Sequence, residues 1–217
     1  MRRLFIVRHG KTAWNLEKRL QGAGADSPLL TDDLTPYHQL AAYLDQYEFA
    51  QAFTSPLARA YDTAELTLKN FSHHQAPKLE VVDDLRELSF GQWEGRSRAE
   101  LIKVAPELFA LMSKRQDDPR LLNLGMENFH DARRRFAGAL AGIAASLGDD
   151  DNALIFAHGG ISQIGIQAAT GNPKLLGLKN LSTSILAVTA DGLAVDAYNQ
   201  TAYLTQVDLN EGNVSIL

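Results

Sequence analysis

Leu4-Phe5-Ile6-Val7-Arg8-His9-Gly10 is four apolar residues in a row, then an arginine, a histidine and a glycine. A short apolar run without polar alternation reads as a strand buried on both faces, as in a parallel sheet covered by helices. The glycine lets the backbone turn sharply and come close to a ligand. Residues 50–54, 79–82 and 153–157 have the same apolar character and are expected to be strands.

Helical patterns separate these runs. Thr35-Pro36 pairs a capping residue with a proline at the first helical position, and Leu40, Leu44 and Tyr47 follow at helical spacing. Ser55-Pro56 repeats the device and is expected to open a helix to about residue 69. Ser97-Arg98-Ala99-Glu100 reads as a capping box. Asn128 is expected to cap a helix through about residue 147. Near the end, residues 185–189 and 193–198 flank Asp191-Gly192, a hairpin signal. Strands alternating with helices predict an α/β three-layer sandwich. Its central sheet is mostly parallel with an antiparallel edge, and helices cover both faces. Residues 96–127 carry helix without a clear strand and are expected to form a small helical cap within a single domain spanning 1–217.

The chain has 217 residues, 45% hydrophobic and 22% charged, with a formal net charge of −5. That is ordinary for a globular protein, and the acidic balance argues against nucleic acid as a partner. Any phosphate site must be a local cluster of cations. Cysteine is absent, which excludes thiolate catalysis and a disulfide framework. No stretch approaches the ~20 apolar residues that span a bilayer, and residues 1–7 are too short for a signal sequence. The expectation is a cytoplasmic protein with no membrane partner.

Chemistry gathers at the strand ends, where open α/β sheets place their ligands. Arg8 can grip phosphate oxygens with its planar fork. His9 is a nucleophile or base that works near neutral pH. Ala157-His158-Gly159-Gly160 repeats the pattern after another apolar run. Thr54-Ser55-Pro56-Leu57-Ala58-Arg59 places Arg59 on the first turn of a helix, where anions are already favoured. Leu85-Arg86-Glu87-Leu88 adds a carboxylate. Four strand ends thus supply two histidines, two arginines and a glutamate.

These motifs, in this order, resemble the histidine phosphatase superfamily, the phosphoglycerate-mutase-like group. Arg8-His9-Gly10 matches its signature, followed by Thr12, Trp14 and Asn15, then Arg19 with Gln21-Gly22. Leu34-Thr35, Ser55-Pro56-Leu57-Ala58-Arg59-Ala60 with Thr63-Ala64, and Leu85-Arg86-Glu87 with Gly91 and Trp93-Glu94-Gly95 follow. His158 with Gly159-Gly160, then Asn199 and Thr201-Ala202, complete the match. The resemblance implies that His9 attacks phosphorus and that Arg8, Arg59 and His158 hold the phosphoryl oxygens. It implies that Glu87 serves as general acid, then base, and that Asn15, Gln21, Gly22 and Gly159 contact phosphate or substrate. It implies no metal and no cofactor, the cationic side chains taking the metal's place. A neutral His9 ring is required for attack, so a carbonyl accepting from its other nitrogen is expected.

The resemblance leaves three classes open: phosphatase, cofactor-dependent phosphoglycerate mutase, and a non-catalytic binder of phosphate ligands. Trp93-Glu94-Gly95 runs directly into Ser97, without the longer basic and proline-rich stretch of the mutases, which favours the phosphatase. The expected partner is a small phosphorylated metabolite, and the protein a monomer or homodimer. Lys11 and Tyr203 depart from the family pattern, Tyr203 replacing a frequent histidine. His38 reads as a helix surface residue and His73-His74 as a solvated loop. Arg133-Arg134-Arg135 reads as a surface run. Glu127 could support the arginines or the helix dipole, and Trp93 could wall the pocket or pack the core. Leu101, Leu108, Leu111 and Met112 are expected to pack the cap helices.

Overall fold

The computed structural model describes residues 1–208, so positions 209–217 of the expected domain lie outside the described residues. In chain order the elements are β1 (Arg3–Arg8), α1 (Ala13–Leu16), α2 (Thr35–Leu44), β2 (Gln51–Thr54), α3 (Ala58–Leu68) and β3 (Leu79–Val81). Then come α4 (Arg98–Val104), α5 (Pro106–Ser113) and α6 (Pro119–Asn123), within the segment expected to form a cap. Last are α7 (Phe129–Ser146), β4 (Asn152–Ala157), α8 (Gly159–Thr170), β5 (Thr183–Thr189) and β6 (Gly192–Gln200). No helix among the described residues is long and apolar enough to cross a membrane.

The six strands form one sheet in the order β3-β2-β4-β1-β5-β6. β1, β2, β3 and β4 run parallel, while β5 and β6 are antiparallel. The opening run of β1 explains its central place. Leu4 and Ile6 join a core with Phe136, Leu140 and Ile164 from α7 and α8. Phe5 and Val7 point the other way, into a core with Tyr37, Leu40 and Ala64 from α2 and α3. A strand covered on both faces has no solvent side, so it needs no polar alternation.

Several local readings are corrected. Thr35 is the first helical residue of α2 and not its cap; Leu34 is the N-cap, and Asp33 Oδ1 accepts from the Thr35 N–H at 2.9 Å. α3 starts at Ala58 with Leu57 as N-cap; the Ser55 hydroxyl accepts from the Leu57 N–H at 3.2 Å, ahead of the helix, and makes a further contact described below. Ser97 is the N-cap of α4 but closes no capping box; the Glu100 carboxylate bonds Arg96 instead. Asn128 caps α7 as expected, accepting from Asp131 N–H at 3.0 Å. In the β5–β6 hairpin Thr189 pairs with Gly192, so Ala190-Asp191 is the loop and Gly192 opens β6 at φ +120°.

Helices α4, α5 and α6 share a core with α7. Leu101, Phe109, Met112 and Leu121 are buried with Trp93, Phe129 and Phe136. Trp93 therefore packs beneath the cap, stacked on Phe109 with centroids 6.4 Å apart. Gly91 anchors the segment leading into it. It adopts φ +52°, and a Cβ there would lie 2.1 Å from the Leu124 carbonyl oxygen.

At the opposite end, Asp45 holds the loop after α3. Its carboxylate, 2% exposed, accepts from the backbone N–H groups of Ser72 at 2.6 Å, His73 at 2.7 Å and His74 at 2.9 Å. The backbone at His73 and His74 is thus anchored, while the His73 side chain is 80% exposed, as a solvated loop requires. Burial alone would raise the Asp45 pKa, but these donors pull it well below the ordinary carboxylate value. Asp45→Ala strands the donors and should cost about 3 kcal/mol of stability, read from urea unfolding. With a lowered folded-state pKa, this stabilisation is complete above about pH 4 and is lost as pH falls further. Unfolding midpoints of wild type and variant should converge in acid.

Candidate active site

Strand register brings the two histidines together. Arg8 on β1 lies opposite Ala157 on β4, so the next residues along both strands, His9 and His158, are neighbours. The His9 N–H donates to the Ala157 carbonyl at 3.0 Å, and the ring centroids are 5.1 Å apart. Thr54 pairs with Phe156 on the far side of β4, which sets Ser55 against His158; its Oγ is 2.7 Å from His158 Nε2. The turn after β1 is held from two directions. Thr63 Oγ1 accepts from Gly10 N–H at 2.9 Å, and Asn180 Nδ2 donates to the His9 carbonyl at 2.8 Å.

The His9 ring is 3% exposed, and its Nδ1 lies 2.7 Å from the Gly10 carbonyl. A carbonyl only accepts, so Nδ1 carries the proton and Nε2 keeps its lone pair. Burial is the largest influence on this ring, with Arg59 and then Arg8 adding to it; together they hold its pKa well below 6.5 against the opposing bond to Gly10. His158 is fully buried and shifted the same way, by burial first and then by Arg59, His9 and Arg8. Its Nδ1 has no hydrogen-bond partner among the described residues.

Arg8 runs along Gly159, where a Cβ would lie 3.0 Å from Nε, and bonds the Leu178 carbonyl. Arg59 is 1% exposed. Its Nη1 donates to Asp26 Oδ1 at 2.8 Å and its Nη2 to the Gly22 carbonyl at 3.1 Å. Asp26 also accepts from Gln21 Nε2 at 3.1 Å, and Gln21 Oε1 accepts from Thr12 Oγ1 at 2.8 Å. Both ends of the Gln21 amide are therefore used inside the protein. Asn15 Oδ1 accepts from Thr12 N–H at 3.2 Å, the reciprocal half of a capping box on α1.

Glu87 sits on the amino end of α8. Its carboxylate accepts from Ile161 N–H at 2.7 Å, Leu88 N–H at 2.9 Å and Gly160 N–H at 3.0 Å. A Cβ at Gly160 would lie 2.9 Å from Oε1, so glycine admits the carboxylate. The loop carrying Glu87 is braced by Arg135, which donates to the carbonyls of Asp84 at 2.7 Å and Arg86 at 3.0 Å. Glu127 grips the same guanidinium through both oxygens, at 2.9 and 3.0 Å. Arg135 is thus structural and not part of a surface run. Glu127 acts through it.

A cavity of about 370 Å³ opens over this centre. Arg8, His9, Asn15, Gln21, Glu87 and Gly159 line it. Arg59, His158 and Gly22 are buried and are not among its lining residues. His38 is exposed on α2, and Tyr203 stacks on Tyr43 while its hydroxyl bonds the Leu181 carbonyl. Sequence reasoning missed Asp26, Asn180 and Arg115, the last a cavity residue from the cap. Asp26 precedes Ser27-Pro28, a turn signal that marks position but not partner. Among the described residues no three His, Asp or Glu side chains converge as metal ligands.

With its pKa lowered, His9 stays neutral as pH falls through 6.5, where an ordinary histidine gains its proton. In ¹⁵N-histidine NMR spectra His9 should remain the Nδ1–H tautomer at pH 6. A ring half-protonated near pH 6.5 would contradict this electrostatic account.

Known proteins of similar sequence and structure give the chain a family. Fructose-2,6-bisphosphatase TIGAR B of Danio rerio is 43% identical over 105 residues, covering 47% of this chain and 40% of the relative. Sedoheptulose 1,7-bisphosphatase of Saccharomyces cerevisiae is 32% identical over 184 residues, covering 72% of this chain and 63% of the relative. The chain thus spans less than two thirds of the length of either. The structure of mycobacterial glucosyl-3-phosphoglycerate phosphatase in complex with VO3 superimposes with a TM-score of 0.79 at 28% identity, covering 93% of this chain and 100% of the other. The family model for the histidine phosphatase superfamily, branch 1, matches residues 4–201. A match over residues 4–201 covers most of the chain, and the chain belongs to the histidine phosphatase superfamily.

Proposed function

We propose that this protein is a metal-independent phosphatase that hydrolyses phosphomonoesters of small metabolites through a phosphohistidine on His9. The observation that carries this reading is the 2.7 Å contact between His9 Nδ1 and the Gly10 carbonyl. It leaves Nε2 free to attack. The Nε2–phosphorus bond forms as the bond from phosphorus to the ester oxygen breaks. Glu87, in its acid form, gives its proton to the departing oxygen. Water then attacks phosphorus, Glu87 takes its proton, and the phosphorus–nitrogen bond breaks to release phosphate and neutral His9.

Arg8, Arg59 and the free Nδ1 of His158 are the donors we assign to the phosphoryl oxygens. The two guanidinium charges, with the neutral His158 ring as a further donor, do at the equatorial oxygens what a metal does elsewhere. Asp26 and Gly22 aim the Arg59 fork through a carboxylate and a carbonyl, so these are positioning groups. Asn15 and Gly159 remain as substrate contacts at the cavity wall, whereas Gln21 acts through Asp26. Residues 96–127 are the cap insertion that sets substrate choice. The brevity of the segment between Glu94 and Ser97 favours a phosphatase over a phosphoglycerate mutase, because it lacks the mutases' basic stretch. We place the enzyme in the cytoplasm, as a monomer or homodimer, a setting that suits a chain without cysteine.

Two measurements test this. Wild type should hydrolyse p-nitrophenyl phosphate in EDTA, and His9→Ala should lose at least about a thousandfold in kcat; equal turnover by the two proteins would remove His9 from the chemistry. Glu87→Gln should slow an alkyl phosphate about a hundredfold more than p-nitrophenyl phosphate, whose leaving group needs no proton. Equal losses on both esters would take the general-acid role away from Glu87.

A further inference from the structure

Ser55 lies between the end of β2 and the start of α3, fully buried, with its hydroxyl 2.7 Å from His158 Nε2. The His158 ring is equally buried, and its other nitrogen, Nδ1, has no partner among the described residues. A neutral imidazole carries one proton, and a hydroxyl can meet either form of Nε2, as donor or as acceptor. The position of that proton matters to an anion. On Nδ1 it makes this nitrogen a donor. On Nε2 it leaves Nδ1 with a lone pair, which repels phosphoryl oxygens.

The other bond of the Ser55 hydroxyl decides between the two. Its oxygen already accepts from the Leu57 N–H at 3.2 Å. Among the described residues, the acceptor left for the hydroxyl hydrogen is His158 Nε2. With the proton on Nε2, the ring and Leu57 would both donate to Oγ. The hydroxyl hydrogen and the Nδ1 lone pair would then both be buried without partners, and each such group costs free energy. With the hydroxyl donating to Nε2, the Leu57 N–H, the hydroxyl and Nε2 are satisfied together. One unpartnered group remains, the Nδ1–H, in a ring that feels the charges of Arg59 and Arg8. A buried donor beside two cations is a group that a bound anion satisfies.

We infer that Ser55 is a positioning residue, whose hydroxyl, by donating to Nε2, fixes the His158 proton on Nδ1 and so makes the neutral ring a donor to phosphoryl oxygens. This rests on the reading of the site as a phosphomonoester site. Ser55 itself touches neither substrate nor reacting atoms and acts through His158. Two backbone carbonyl and hydroxyl oxygens thus set the two rings to complementary tasks: Gly10 leaves His9 a lone pair on Nε2 for attack, and Ser55 leaves His158 a proton on Nδ1 for binding.

The tautomer is read without turnover, in ¹⁵N-histidine NMR spectra of wild type at neutral pH, with His158 assigned by its loss in His158→Ala. The ring should carry its proton on Nδ1. Ser55→Ala should abolish that single form and weaken the binding of inorganic phosphate about tenfold, measured by calorimetry. Ser55 also holds the Leu57 N–H ahead of the helix that carries Arg59, so bracing of α3 is a competing role. Combining the substitutions separates the two. On the His158→Ala background, Ser55→Ala should weaken phosphate binding by less than about twofold, because the ring it acts through is gone. An equal loss on both backgrounds assigns Ser55 to bracing and overturns the inference. So does a His158 proton on Nε2 in wild type, or a tautomer unchanged by Ser55→Ala. Failure of the phosphohistidine reading appears separately, as absent turnover by wild type.

Discussion

A slip of one residue between β1 and β4 would reverse the faces of Leu4, Phe5, Ile6 and Val7 and carry His9 away from His158. The buried character of both strands forbids that slip. Each face of β1 meets a different set of helices, so a slip would exchange Leu4 and Ile6 for Phe5 and Val7 in both cores. The register that pairs Arg8 with Ala157 is therefore held by core packing, and the active-site geometry follows from it. Ser55, from the strand on the far side of β4, reaches His158 through the same alignment.

Burial then gives these residues their chemistry. His9 and His158 are held neutral by desolvation and by the arginines beside them, so a chain with an acidic overall balance has a local field suited to anions. The arginines need restraint of their own. Asp26 and the Gly22 carbonyl hold Arg59, the Leu178 carbonyl holds Arg8, and Glu127 holds Arg135 beneath the loop of Glu87. Each cation is tied on one side by oxygen acceptors. Fixed donors of this kind need little reorganisation when charge develops on a phosphoryl group.

Much of this was legible in the sequence, for a physical reason. Short apolar runs ended by His-Gly or Ser-Pro announce both a buried strand and a ligand-facing turn, so sheet class and the placement of His9, Arg59, Glu87 and His158 could be read together. Local capping was less legible. Ser55 and Ser97 carry the composition of helix caps, yet Ser55 bonds Leu57 ahead of α3 while also reaching His158, and an arginine claims the Glu100 that Ser97 would need. Long-range partners left no trace. Asp26 lies 33 positions from Arg59, Asn180 lies 171 from His9, and no periodicity encodes either contact. The run at Arg133–Arg135 looked like solvated charge because sequence cannot tell a surface arginine from one whose acceptors arrive from Asp84, Arg86 and Glu127.

The most direct test of the account is to trap the covalent intermediate. Wild-type protein mixed with a fast-leaving phosphomonoester, quenched in denaturant at alkaline pH and digested, should yield a phosphorylated peptide containing His9. Mass spectrometry should place the group on that ring, and acid should remove it while base should not. A phosphoryl group on any other residue, or sustained turnover with no phosphopeptide at matched sensitivity, would contradict the claim that His9 is the nucleophile.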